Sequence, residues 1–167
     1  MQNKAKIILI SIGAFLLVIA LIILILFIIY KSSTPESENS NNTEEKTVTA
    51  YIFRRDNCPY CENAIEYFLS IEELFPYLEI KAYEVSDYPA NRNLMNAVSQ
   101  ELGIEARNSV PLIVIGSYSL RGFSINYRET LNNEIAEAYQ NANYEDIVKK
   151  VIEENNLNVE EEIITKN

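Results

Sequence analysis

Cys58 and Cys61 are the only cysteines in 167 residues, and they stand three positions apart in the segment YIFRRDNCPYCENAIEYFL. Several kinds of chemistry suit such a pair. A structural zinc site needs four ligands, and a chain with two thiols and no histidine falls short unless a dimer pools its cysteines. A static bridge closing so short a loop removes little chain entropy, so it makes a weak staple. A reversible dithiol/disulfide pair makes better use of the spacing. Cys58 directly precedes Pro59, and proline suits the first turn of a helix, where N–H groups are unpaired anyway. Those N–H groups and the helix dipole favour a thiolate at Cys58. Cys61, one turn further on, can attack a mixed disulfide formed at Cys58 and release the product. Arg54 and Arg55 precede the motif; they either add positive potential to the thiolate or form a solvated loop. The lack of histidine excludes Ser/His and Cys/His catalytic pairs and any histidine proton relay.

A pair of this kind needs a strand to bring the chain in and a helix to hold the thiols. TVTAYIF, before the motif, is rich in β-branched and aromatic residues and reads as a strand. After it, Ala64, Ile65, Phe68, Leu69, Leu74 and Phe75 recur at helical spacing. LEIKAYEV alternates as a second strand. PANRNLMNAVSQELGI carries Leu94, Val98 and Leu102 on one helical face, with Gly103 as a stop. SVPLIVIG is an apolar run of strand length, and SYSLRGF reads as a short edge strand. Leu131, Ile135, Ala138 and Tyr139 mark one further helix, and Tyr144, Ile147, Val148, Val151 and Ile152 another. The order β-α-β-α-β-β-α-α predicts an α/β domain over 47–155, with a mixed sheet and helices on both faces. Pro111 is out of place inside a strand, because it removes a ladder hydrogen bond. A cis Val110–Pro111 bond, turning the chain where backbone must stay free to pair, accounts for it.

The flanking segments read differently. From Ile7 to Tyr30 no residue is charged, and the run is long enough for a helix across a hydrocarbon core of about 30 Å. An uncleaved transmembrane anchor over 7–30 is the expectation, after a short cytoplasmic segment 1–6. Lys4 and Lys6 before it place the N-terminus inside and the rest outside the cytoplasm. The lipid bilayer is then a partner. Residues 31–46, KSSTPESENSNNTEEK, contain no aliphatic residue and read as a flexible tether, reaching roughly 20–25 Å as a coil. Residues 156–167 form an acidic tail, either frayed or an extra packed element. From Lys31 on, 12 basic residues face 24 acidic ones, a formal charge of −12. So acidic a domain repels phosphate backbones, which excludes nucleic acid as a partner.

Strand, C-x-x-C at a helix start, a βα unit and a Val-Pro entering a later strand resemble the thioredoxin superfamily, and the CPYC choice is most similar to glutaredoxins. The resemblance covers Thr47 to about Asn155 and implies a thioredoxin-like fold. It implies that Cys58 is the nucleophile and Cys61 the resolving thiol. Pro111 would be a cis-proline facing them, with the Val110 backbone pairing to substrate. Tyr60 inside the motif and Arg55 just before it would also meet substrate, Arg55 standing where glutaredoxins carry a glutathione-binding lysine. Here the chain departs from both subfamilies. GSYSLRGFSIN has Gly116 and Gly122 but neither the glycine pair nor the acid with which glutaredoxins hold glutathione, so no cofactor is expected. Asn57 and Ile52 stand where thioredoxins carry a tryptophan and a buried aspartate. The resemblance implies a thiol–disulfide oxidoreductase, oxidising or reducing, working outside the cytoplasm on cysteines of exported or membrane proteins and recycled by a membrane redox partner; the alternatives are a non-catalytic binding module of the same fold or a glutathione-dependent glutaredoxin.

Overall fold

The computed structural model describes residues 21–23, 25, 46–105 and 109–166. Strand β1 (Val48–Arg54) is followed by helix α1 (Pro59–Ile71), strand β2 (Leu78–Glu84) and helix α2 (Pro89–Glu101). Strands β3 (Leu112–Ile115) and β4 (Tyr118–Arg121) come next, then a 3-10 turn, helices α3 (Arg128–Gln140) and α4 (Ile147–Glu154), and a short strand β5 (Glu162–Ile163). The five strands are ordered β4-β3-β1-β2-β5. β1 and β2 run parallel, while β3 is antiparallel to β1 and to β4, and β5 is antiparallel to β2.

Alternation along β1 decides which helices cover which face. Val48, Ala50 and Ile52 point one way and pack with Phe68 of α1 and Leu131 and Ile135 of α3. Tyr51 and Phe53 point the other way, against Leu94 and Val98 of α2 and Val148 and Val151 of α4. Period-2 side chains on a strand buried on both faces give two cores from one run of residues. The expected mixed sheet with helices on both sides is therefore what forms.

One part of the expected fold class is corrected. The anchor helix over 7–30 is not found: among the described residues, no helix is long and apolar enough to cross a membrane. Spanning requires about 20 consecutive residues in a single helix, and the described part of this run is Leu21–Ile23 and Ile25, helical and exposed. The rest of 1–30, and 31–45, lie outside the described residues. The chain is a mixed α/β structure with a five-stranded sheet.

Smaller expectations also shift. α1 ends at Ile71, so Leu74, counted on its apolar face, is 63% exposed while Phe75 turns into the core. β3 starts only at Leu112, after the proline. The C-terminal residues are packed, not frayed: Ile163 pairs with Lys81 and Glu162 with Ala82. Lys46, at the end of the polar stretch, donates from Nζ to the carbonyls of Ala138, Tyr139 and Asn141. A cation there satisfies carbonyls that the end of α3 leaves unpaired and opposes the negative end of its dipole.

Asp146 gives the fold a pH dependence. It accepts from the Tyr51 hydroxyl at 2.8 Å and caps α4 through the Lys149 N–H at 2.9 Å. Burial nonetheless outweighs these bonds and raises its pKa above the usual 3.8. The folded protein therefore holds the proton at pH values where the unfolded chain has lost it. Asp146's contribution to stability is largest below pH 3.8 and declines as pH rises through the folded pKa. Denaturant midpoints measured upward from pH 4 in the native chain and in Asp146→Asn are expected to converge at the acid end and diverge above it, the variant falling less. Parallel pH profiles would show that Asp146 titrates alike in both states.

Candidate functional site

β1 delivers the chain to the motif, and the turn after it sets the direction of approach. Asn57 adopts a positive φ of 55°, a conformation that asparagine tolerates better than most residues. Cys58 follows in extended geometry as the N-cap of α1, and Pro59 occupies the first turn. The Cys58 carbonyl accepts from the N–H groups of Cys61 and Glu62 at 2.9 and 3.0 Å. Its Sγ accepts from the Cys61 N–H at 3.3 Å. Sulfur thus occupies the place of a capping oxygen, and any negative charge on it meets the positive end of a helix 13 residues long.

Cys58 and Cys61 are joined by a disulfide, with their Cα atoms 5.2 Å apart. The two sulfurs are not equivalent. Cys61 is 1% exposed and packed into the domain, whereas Cys58 is half-buried at the helix start. Of the two, Cys58 is the one open to solvent.

The Val110–Pro111 peptide bond is cis, as the misplaced proline implied. Pro111 is buried, and its carbonyl accepts from the Gly122 N–H at 2.7 Å. Phe53 is opposite Leu112 in the β1–β3 register, so Pro111, just before β3, lies at the end of the sheet where β1 leaves for the motif. Arg55, Cys58, Val110 and Pro111 therefore gather at one end of the sheet.

The two arginines before the motif have different surroundings. Arg54 is engaged by Asp56 at 2.7 Å and Glu162 at 2.9 Å, so its charge is offset. Arg55 is exposed and lines a small pocket with Arg92 and Met95, on the α2 side of the sheet. Tyr60 does not line that pocket. It is 63% exposed and opens a groove of about 540 Å³ along α1. Tyr60, Asn63, Tyr67 and Ser70 form one wall, and Phe123, Ile125 and Arg128 form the other. The Tyr67 hydroxyl donates within bonding distance of the Asn132 Oδ1 and the Arg128 carbonyl, and burial raises its pKa to about 12.

Beyond Tyr60, sequence reasoning had no hold on this groove. Its second wall comes from the link between β4 and α3, where FSINYR shows neither strand nor helix periodicity. The isolated Ile125, exposed by 64%, is the one trace it leaves.

A C-x-x-C disulfide between the end of a strand and the start of a helix, with a cis-proline at the same end of a mixed sheet, is consistent with a thioredoxin-like fold and with redox chemistry. No family model, no curated protein and no solved structure matches the chain.

Proposed function

We propose that this chain is a thiol–disulfide oxidoreductase of the thioredoxin type, glutaredoxin-like in its CPYC motif, acting on cysteines of other proteins. The observation that carries this reading is the asymmetry of the disulfide: one sulfur accessible at a helix N-terminus, the other buried behind it.

In the oxidising direction a substrate thiolate attacks Cys58 Sγ, the Cys58–Cys61 bond breaks, and Cys61 leaves as a thiolate that takes up a proton. A second substrate thiolate then attacks the substrate sulfur of the mixed disulfide, and Cys58 leaves. Two electrons pass to the cysteine pair and the substrate gains a disulfide. In the reducing direction the same steps run backwards, starting from the Cys58 thiolate. That thiolate is favoured by the Cys61 N–H and the helix dipole. Recycling requires a second dithiol or disulfide carrier of opposite poise. Neither step uses glutathione, and exchange is expected with protein dithiols in its absence.

The reduction potential of the pair tests the reading. Reference oxidants lie at about −120 mV and thioredoxin-like reductants at about −270 mV. A midpoint within this span is expected; its upper end assigns disulfide donation and its lower end disulfide removal. A pair that mild dithiols cannot reduce in the native protein would rule the reading out.

A further inference from the structure

The groove along α1 begins at Tyr60, inside the redox motif, and continues well beyond the reacting sulfurs. From Tyr60 to Ser70 its α1 wall follows ten residues of helix, roughly 15 Å at 1.5 Å per residue. A small thiol would occupy the first turn alone. An extended polypeptide rising about 3.3 Å per residue would fill the length with four or five residues.

Apolar groups and one cation line this path. Tyr60 and Ile125 are exposed by 63% and 64%, and the buried Phe123 also lines the groove. Arg128 opens α3, where the helix dipole disfavours a positive charge. Its guanidinium is held over the Tyr67 ring at 5.6 Å from the centroid, and among the described residues no carboxylate pairs with it. In a chain of net charge −10, Arg54, Lys81, Lys150 and Lys166 all have carboxylate partners. Glu66, on the α1 wall, keeps an incoming acid away from that side.

We propose that this groove docks the polypeptide flanking the substrate cysteine, seating an apolar or aromatic side chain between Tyr60, Phe123 and Ile125 and a carboxylate on Arg128. The proposal rests on the thiol-exchange reading for its biological meaning, but docking can be measured without any exchange. Two labelled peptides with an aromatic residue and serine in place of cysteine, one bearing glutamate and the other lysine, are titrated against the full chain by fluorescence anisotropy. The glutamate peptide is expected to bind at least about tenfold more tightly, a difference of about 1.4 kcal/mol. Raising the salt should narrow that gap. Arg128→Glu should invert the preference, Arg128→Lys should keep its sign, and Ile125→Asp should weaken both peptides. Equal binding of the two peptides, or a preference unchanged in Arg128→Glu, would overturn the proposal. Exchange with a small uncharged disulfide is followed in parallel in the native chain. Its absence in the native chain would sink the exchange reading and leave the docking result standing.

Discussion

Cys58→Ser is expected to reduce thiol–disulfide exchange by about three orders of magnitude or more, to the uncatalysed rate, since it removes the accessible sulfur that forms the mixed disulfide. Cys61→Ser should behave differently. The Cys58 thiolate remains at the helix start and attacks a substrate disulfide, but no thiol lies behind it to complete release. Covalent adducts should accumulate with Cys61→Ser and be missing with Cys58→Ser. Non-reducing electrophoresis after an acid quench distinguishes the two. Adducts carried by Cys61 in the Cys58→Ser chain would show that the buried sulfur is accessible and that the assigned roles are reversed. Cys61 belongs to the packed first turn of α1, so each variant also needs a thermal melt to separate lost chemistry from lost fold.

Removal of the chain from Leu157 on is expected to cost about 2–6 kcal/mol, read as a fall in the urea midpoint. The estimate follows from the polar groups that would lose partners. Asn91 is fully buried; its Oδ1 accepts from the Glu160 N–H at 3.0 Å, and its amide donates to the Glu160 carbonyl at 2.8 Å while keeping a second bond to the Glu84 carbonyl at 2.9 Å. The Tyr83 hydroxyl, on a residue also fully buried, donates to Glu161 at 2.8 Å. Each group left buried without a partner costs about 1–3 kcal/mol. Exposed ion pairs such as Lys166–Glu73 add little. An unchanged midpoint in the shortened chain would mean that water replaces these bonds at no cost. Asn91→Ala in the intact chain then isolates one of them.

What the sequence disclosed depended on how far apart the cooperating residues lie. β1 was legible because VTAYIFR carries its preference in its own side chains. α1 was legible because Pro59 and the spacing of Ala64 and Phe68 are local signals. The cis-proline followed from a single misplaced residue. The pairing of Glu162 and Ile163 with β2 did not follow, because EEEIITKN has no alternation and its partners lie about eighty positions away. Lys46 looked like the end of a polar run; its three carbonyl partners are more than ninety residues distant. The groove depends on which link faces which helix, a tertiary fact. The anchor was read from apolar composition alone, which registers the run but not whether it forms one unbroken helix.

Glu162 hydrogen bonds to Arg54 across 108 positions, and the strand it belongs to closes the outer edge of β2. On the ribosome that edge stays open from the emergence of Glu84 until Glu162 follows. At 5–20 residues per second, the interval lasts about 4–16 s. Throughout it, β2 presents unpaired N–H and C=O groups to any neighbouring nascent chain, and the approach to the redox motif lacks one of the carboxylates that offset Arg54. Synthesis thus completes the tie between β5 and the approach to the cysteine pair late, so a chain released early would carry its cysteines on an unfinished sheet.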